Sequence, residues 1–217
     1  HLPLSPFCRK VRMLLSELEL EFELQVERVW DRREAFLALN PAGKVPLLIE
    51  PDGTVLADSQ AICEFLEEIY DAQRLLGRDA QARAEVRRLV SWFDDKFHEE
   101  VTALILYEKV NKRLMGQGTP DSTAIRAGLS NITYHLDYIA FLTDRRNYLA
   151  GDTFSLADMA AAAHLSCLDY IDAVPWHHNE LAKEWYARVK SRRSVRPLLG
   201  DQVPGIAPPG HYANLDF

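Results

Sequence analysis

Cysteine and long apolar runs are scarce in this sequence of 217 residues. Its 3 cysteines, Cys8, Cys63 and Cys167, are an odd number at wide spacing, so a secreted disulfide framework is excluded and a reducing compartment is favoured. No apolar run approaches the ~20 residues that cross a bilayer, which excludes a membrane span. We therefore expect a cytoplasmic protein.

Positive charge is also scarce. The chain has 25 Lys plus Arg against 32 Asp plus Glu, a formal net charge of -7. Nucleic-acid binding would require clustered Lys and Arg, so a nucleic-acid partner is excluded. The 7 histidines show no zinc-ligand spacing, and the sequence has neither a P-loop nor a Gly-x-Gly-x-x-Gly motif. We expect no metal site and no nucleotide site.

The residues that are present belong to an ordinary globular protein, with 47% apolar, 26% charged and 10% aromatic side chains. Their charge is unevenly distributed. Residues 1–71 carry 7 Lys plus Arg against 14 Asp plus Glu, whereas the remainder carries 18 of each. This length allows two small domains, and the change in charge coincides with a change in apolar periodicity.

The first part, residues 1–71, alternates strands and helices. Phe22, Leu24 and Val26 alternate with polar residues, which is the period of a half-buried strand. Residues 51–53 (Pro-Asp-Gly) separate two apolar runs and predict an antiparallel hairpin, and Ser59 is placed to cap the helix that follows. The predicted elements are a strand at 1–4, a helix from Pro6 to Leu18, a strand at 22–26, a helix at 34–39, a hairpin at 47–50 and 54–57, and a helix at 59–70.

The second part is helical. After a linker at 72–79, a domain at 80–199 contains predicted helices at 80–114, about 121–142, from 155 and at about 180–191. From Pro197 onward 4 prolines and 3 glycines predict an extended tail, residues 200–217. The residues expected to face inward on the first two helices are Val86, Leu89, Val90, Phe93, Phe97, Val101 and Leu104, then Ile125, Leu129, Ile132, Leu136 and Ile139.

Four local motifs occur in order along the chain: residues 5–12 (SPFCRKVR), 40–46 (NPAGKVP), 58–62 (DSQAI) and 151–158 (GDTFSLAD). Together they resemble the cytosolic glutathione transferase superfamily. The resemblance implies an α/β thioredoxin-like N-terminal domain, an all-α C-terminal domain and a homodimer.

The resemblance also implies a glutathione site. A cis Val45-Pro46 bond would turn the Val45 amide and carbonyl outward, where a peptide ligand can pair with them. Asp58 and Ser59 stand at a helix N-terminus, which favours a carboxylate of the ligand. Ser5 occupies the position of the group that stabilises the glutathione thiolate.

Cys8 has two interpretations. It lies in the first helical turn beside Arg9 and Lys10, where the helix dipole and the two cations would lower the pKa of its thiol and make it reactive. Alternatively it is a small residue buried under the sheet. Ser5-x-x-Cys8 lacks the first cysteine of a thioredoxin motif, which disfavours two-thiol redox chemistry.

Ser155 and Asp158 have the spacing of a capping box at a helix start. Each side chain can satisfy a backbone amide of the first turn. We assign this pair a structural role.

Two further features suit a binding surface. Trp30 precedes Arg32 and Arg33 between a predicted strand and helix, so either its ring is held at the surface beside two guanidinium groups or it is tucked under the helix. The tail ends in Leu215-Asp216-Phe217 and docks either on a partner or on its own domain.

With the aromatic stretch at 90–98, these features resemble glutathione-transferase-like cell-division proteins of alphaproteobacteria. That resemblance implies a non-catalytic role at the division site: binding FtsZ filaments, shaping them and linking them to cell-wall synthesis, with a possible second division partner at the tail. The alternative is a transferase that conjugates glutathione to small electrophiles, with Ser5 and Cys8 as candidate catalytic residues and glutathione as the cofactor.

Overall fold

Local caps position the helices of the N-terminal part. The computed structural model describes residues 1–70 and 75–215. Helix α1 (Pro6–Glu17) follows Ser5, whose hydroxyl accepts a hydrogen bond from the Cys8 amide at 3.3 Å. Helix α2 (Glu34–Leu39) follows a 3₁₀ turn (Val29–Asp31), and helix α3 (Ser59–Tyr70) closes this part. These three predicted helices are confirmed.

The cap of α3 differs from the prediction. Asp58 Oδ1 accepts from the amides of Gln60 and Ala61 at 2.8 and 3.1 Å, so Asp58 rather than Ser59 caps the helix. Asp58 has a positive φ of 75°, which turns the chain into the helix. Ser59 stands in the first turn, and this leaves its hydroxyl available for another role.

The predicted hairpin is confirmed as strands β1 (Leu47–Ile49) and β2 (Val55–Ala57), paired antiparallel with Leu48 opposite Leu56. The strands predicted at 1–4 and 22–26 do not form within the described residues. Two hydrogen bonds join these segments, from the His1 amino group to Gln25 O and from Glu27 N to His1 O. Two bonds do not build a ladder, and Leu24 and Val26 are exposed.

Residues 80–115 form one continuous helical run that alternates between α and π geometry. The predicted helix is confirmed in extent, and it ends at Gly116, whose φ is 65°. Its consecutive segments are α4 (Ala80–Ser91), a π-helix (Trp92–Thr102), α5 (Ala103–Leu106), a second π-helix (Tyr107–Asn111) and α6 (Lys112–Met115).

The π segments change which side chains face the core. Phe93, Phe97, Val101 and Ile105 are fully buried and recur at every fourth residue. Leu104, predicted to face inward from an α-helical period, instead lines a cleft. The wider turns of a π-helix move the core stripe to Ile105.

The remaining helices are α7 (Ser122–Thr143), α8 (Leu156–Asp169), α9 (Glu180–Lys190) and α10 (Arg196–Leu199). Every residue of α8 is buried, and its run of alanines at 160–163 lets neighbouring helices approach closely. Helix α8 packs against α1, α4, α5, α9 and the first π-helix, which makes it the centre of the helical part. No helix within the described ranges is long and apolar enough to cross a bilayer.

The inward face of α7 is partly as predicted. Ile132, Leu136 and Ile139 are buried, whereas Leu129 is exposed. Gly128 takes the core-facing position instead, because a Cβ there would lie 2.7 Å from the side chain of Ile105. The missing side chain lets α7 approach the long helix.

The prediction that no helix forms from Pro197 onward is wrong at two places. Pro197 lies in the first turn of α10, where its missing N–H is no cost. A 3₁₀ turn (Gly210–Ala213) follows, and Tyr212 within it is fully buried. The segment therefore packs on its own chain. The predicted domain boundary at 71, part of the linker (72–74) and the last residues, Asp216 and Phe217, lie outside the described residues.

The predicted pair Ser155 and Asp158 forms a capping box at the start of α8. The buried Asp158 carboxylate accepts hydrogen bonds from Ser155 N and Oγ at 3.0 Å, from Leu149 N at 2.9 Å and from Trp185 Nε1 at 2.9 Å. Burial raises the pKa of Asp158 to about 6, against the lowering effect of these bonds. One carboxylate thus joins the start of α8 to the preceding loop and to α9.

We expect Asp158→Ala to lower the free energy of unfolding by about 3 to 5 kcal/mol, because several buried donors lose their acceptor together. Urea unfolding measures this. The exposed Asp152 of the same loop is the control, and Asp152→Ala should change stability by less than about 0.5 kcal/mol. Equal midpoints for the two variants would show that Asp158 does not carry this role.

Candidate functional site

A cleft of about 1230 Å³ lies between the loops of the N-terminal part and the long helix. The N-terminal side contributes residues 2–7, 42–46 and 57–60 together with Trp30. The long helix lines it with many side chains between residues 87 and 114, among them a stripe at every fourth position: Val90, Asp94, His98, Thr102, Leu106, Val110 and Leu114.

The π-helical segments hold this stripe against the cleft. In an α-helix with 3.6 residues per turn, a stripe of every fourth residue rotates by about 40° per step. The wider i→i+5 turns at Trp92–Thr102 and Tyr107–Asn111 rotate it back. Sequence analysis missed the stripe because it assumed an α-helical period. The four-residue spacing of the apolar residues Phe93, Phe97 and Val101 is the sequence signal that indicates a period longer than that of an α-helix.

Ser5 lines the cleft and Cys8 does not. Ser5 caps α1 and is half-buried, so its hydroxyl proton can point at a group in the cleft. Cys8 is 1% exposed, and its Sγ accepts a hydrogen bond from Leu2 N at 3.4 Å. Burial raises the pKa of the Cys8 thiol, and Ser5 offsets this only in part. Of the two interpretations, the structure favours the buried and protonated Cys8.

The Val45-Pro46 bond is cis, as predicted. Both residues line the cleft, with the exposed Lys44 beside them. Within the described part of the chain, neither the amide nor the carbonyl of Val45 has a hydrogen-bond partner. This open backbone is suited to pairing with an extended peptide ligand.

Ser59 lies on the same cleft at the positive end of the 12-residue helix α3. Its amide and hydroxyl make no hydrogen bond with other described residues, because Asp58 satisfies the neighbouring amides. A helix start with free donors attracts an anion. The structure therefore brings together Ser5, Val45, Pro46, Asp58 and Ser59 at one cleft.

A buried ionic network lies beneath this site, and sequence analysis did not identify it. Lys10 of α1 is fully buried and pairs with Asp94 of the first π-helix. Asp94 Oδ1 also lies 3.5 Å from His164 Nε2, and His164 Nδ1 shares a hydrogen bond with Thr102 Oγ1 at 2.9 Å. Burial raises the pKa of Asp94, but His164 and Lys10 outweigh burial and keep it below its usual range.

His98 stands at the edge of this network and lines the cleft. Its ring packs edge-on against Phe7, with centroids 4.9 Å apart. Burial, followed by the charge of His164, lowers the pKa of His98 to about 4. His98 is therefore a neutral imidazole near pH 7. No group of His, Cys, Asp and Glu within residues 1–70 and 75–215 is arranged to hold a metal ion.

Trp30 is neither held out at the surface nor tucked under a helix. It is half-buried in the 3₁₀ turn and forms part of the cleft wall. Arg33 is engaged by the buried Glu27, with Nε 3.2 Å from Oε1. Arg32 is exposed, has a φ of 45°, and makes no ion pair with another described residue. Its guanidinium lies close to Gly43 at the cleft edge.

Leu215, the last of the described residues, is partly buried. The other two predicted tail residues, Asp216 and Phe217, lie beyond the described part. The structure therefore places Trp30 on the cleft wall and Arg32 near the cleft edge at Gly43.

Comparison with known proteins gives consistent matches. Residues 4–69 match the family described as Glutathione S-transferase, N-terminal domain. The whole chain is 48% identical to FtsZ-localized protein A of Caulobacter vibrioides, across 96% of that relative. The structure of FzlA from C. crescentus matches with a TM-score of 0.97 at 46% identity, over 100% of this chain and 97% of that one. A glutathione S-transferase from Rhodospirillum rubrum F11 matches with a TM-score of 0.98 at 54% identity, over 100% and 98%.

These matches confirm the predicted fold class, an α/β thioredoxin-like N-terminal domain followed by an all-α C-terminal domain. They cover the C-terminal segment as well as the cleft.

Proposed function

We propose that this chain, which belongs to the glutathione transferase superfamily, acts in bacterial cell division as a binding partner of FtsZ. The observation that carries the proposal is the 48% identity, over the full chain, to FtsZ-localized protein A. The fold alone would not suffice, because one fold serves many functions. We infer that the protein works in the cytoplasm at the division site.

We further infer that its role is non-catalytic and that it links FtsZ filaments to cell-wall synthesis. The buried, protonated Cys8 supports the first inference, because it removes one of the two candidate catalytic residues. The second rests on the tail: the C-terminal segment is anchored to the protein at the buried Tyr212, and we propose Leu215, Asp216 and Phe217, which follow it in the sequence, as the contact with a second division partner.

Trp30 and Arg32 are the best candidates for the FtsZ contact. Trp and Arg are the residue types most enriched in binding hot spots. Trp30 is partly accessible on the cleft wall, and Arg32 is exposed without an ion pair to any described residue. Arg33 is less available, because Glu27 holds its guanidinium.

We expect Trp30→Ser and Arg32→Ala each to weaken binding to FtsZ filaments by about 30-fold, the loss typical of a hot-spot residue. Arg33→Ala should have a smaller effect. Co-sedimentation with polymerised FtsZ measures binding at matched stability. Leu181→Ser, an exposed apolar residue on α9, is the control and should bind as wild type. Wild-type binding by both Trp30→Ser and Arg32→Ala would remove this surface from the proposal.

Asp216→Lys should keep binding to FtsZ filaments and lose the contact with the second division partner.

A specific observation also favours the alternative, a glutathione-conjugating transferase. Ser5, the open Val45 backbone and Ser59 are arranged on one cleft as a glutathione site requires. Under the non-catalytic proposal, we expect the rate of glutathione conjugation to a chloronitrobenzene to be no higher for wild type than for Ser5→Ala. A spectrophotometric assay measures the rate. Turnover that is robust in wild type and lost in Ser5→Ala would establish the transferase instead.

We also propose a homodimer, on the basis of an exposed apolar face. Tyr134 and Phe141 of α7 are each 75% exposed, and Phe141 stacks on Tyr138. Arg88 donates to Tyr138 Oη at 2.9 Å, and the adjacent Arg87 pairs with Glu64 of α3. Charged side chains of α4 and α3 thus border the apolar patch on α7, and a second copy would cover this patch.

Phe141→Ser should convert the dimer into a folded monomer of 24.7 kDa, because the ring is exposed in the single chain and is not part of its core. Sedimentation equilibrium at micromolar concentration measures the mass, with Leu181→Ser as the exposed apolar control. A wild-type mass equal to that of one chain would contradict the dimer.

A further inference from the structure

Arg9 is fully buried and joins three separate segments of the chain. Its Nε donates to Pro3 O at 2.7 Å. Its Nη1 donates to Ser166 Oγ of α8 at 2.9 Å and to Tyr212 Oη at 3.0 Å. Its Nη2 donates to Asp201 Oδ2 at 3.2 Å. One guanidinium thus connects the loop before α1, the central helix and two points of the C-terminal segment.

The loop that Arg9 holds is part of the cleft. Residues 2–5 line it, and Leu2 N donates to the Cys8 sulfur beneath. The Pro3 carbonyl is the atom of this loop to which Arg9 is bound. A displacement of Arg9 therefore moves the side of the cleft that carries Ser5.

The C-terminal segment contributes Val203 to the cleft, and it is bonded to the rest of the protein both before and after this residue. Asp201 accepts two further bonds from Arg12, at 2.9 and 2.8 Å. Val203 lines the cleft, and Tyr170 Oη accepts from Val203 N at 3.0 Å and donates to Ile206 O at 2.9 Å. Tyr212 then contacts Arg9 a second time along the segment. We call residues 201–212 the strap.

Because Arg9 is charged, its bonds to the strap and its bond to the loop at Pro3 depend on each other. A buried guanidinium needs acceptors for its donors, and an uncompensated charge in the interior is strongly unfavourable. Release of the strap removes Asp201 and Tyr212, which leaves Pro3 O and Ser166 Oγ as the acceptors of Arg9 within residues 1–70 and 75–215. The side chain then has to move toward water, which breaks its bond to Pro3 O.

We propose that Arg9 couples the strap to the cleft, so that a partner that lifts the C-terminal segment opens the residue 2–5 side of the cleft. Coupling of this kind is reciprocal. A cleft ligand that orders residues 2–5 raises the equilibrium constant for strap docking by a certain factor, and docking of the strap raises the affinity for that ligand by the same factor. The coupling rests on contacts within one chain, so it stands or falls independently of FtsZ binding.

Cys8 provides a direct measure of loop opening, because residues 2–5 cover it. Intact protein is treated with N-ethylmaleimide, and mass spectrometry follows the alkylation of Cys8. Cys63 of α3 is fully buried and belongs neither to the strap nor to residues 2–5, so its alkylation in the same sample reports global opening. The ratio of the Cys8 rate to the Cys63 rate therefore reports opening of the loop at residues 2–5 separately from global opening.

We expect Tyr212→Phe and Asp201→Asn each to raise the Cys8 to Cys63 ratio by about tenfold, as loss of a hydrogen bond to a charged group predicts. Tyr138→Phe is the matched control. It also removes a tyrosine hydroxyl that accepts from an arginine, here Arg88 Nη1 at 2.9 Å, but the pair lies on α7 and α4 rather than in the strap. Its ratio should stay at the wild-type value.

Two results would overturn the proposal. One is a wild-type ratio in both strap variants; the other is an equal rise in Tyr138→Phe. If Tyr212→Phe does not fold, Asp201→Asn alone decides, because the Asp201 side chain is at the protein edge, 11% exposed, and its change keeps the shape of the residue.

Discussion

Burial of the positive charges of α1 is the constraint on which the two-part architecture depends. Arg9, Lys10 and Arg12 are all buried, and buried charges require partners. Among the described residues, their acidic partners lie in the C-terminal part: Asp201 pairs with Arg9 and Arg12, and Asp94 pairs with Lys10. The N-terminal part therefore meets its electrostatic requirements only when the long helix and the C-terminal segment are in place.

The same contacts shape the cleft. Lys10 attaches the π-helix at Asp94, next to the stripe of side chains that the alternating α and π geometry directs at the N-terminal loops. Arg9 fixes the opposite wall through Pro3. The volume between them is thus set by ion pairs and helix geometry, together with the close packing of the small residues of α8.

The cleft presents the open backbone of Val45 and the N-terminus of α3 at Ser59, and the buried thiol of Cys8 lies outside it. Open backbone groups and a helix start suit an extended acidic ligand whether or not chemistry follows. This is why the fold can serve either binding or catalysis, and why measurements on Ser5, Trp30 and the strap address different questions.

Sequence by itself determined the features that rest on neighbouring residues. Helix bounds, the hairpin around residues 51–53 and the Ser155–Asp158 capping box follow from local hydrogen bonds and turn chemistry, and the motif at 40–46 indicated the cis bond. Only the tertiary structure decided which face of the long helix meets the cleft, that Trp30 lines it, and that the C-terminal segment packs on Arg9. These depend on side chains far apart in the sequence, whose pairing is selected by burial and charge when the chain is folded.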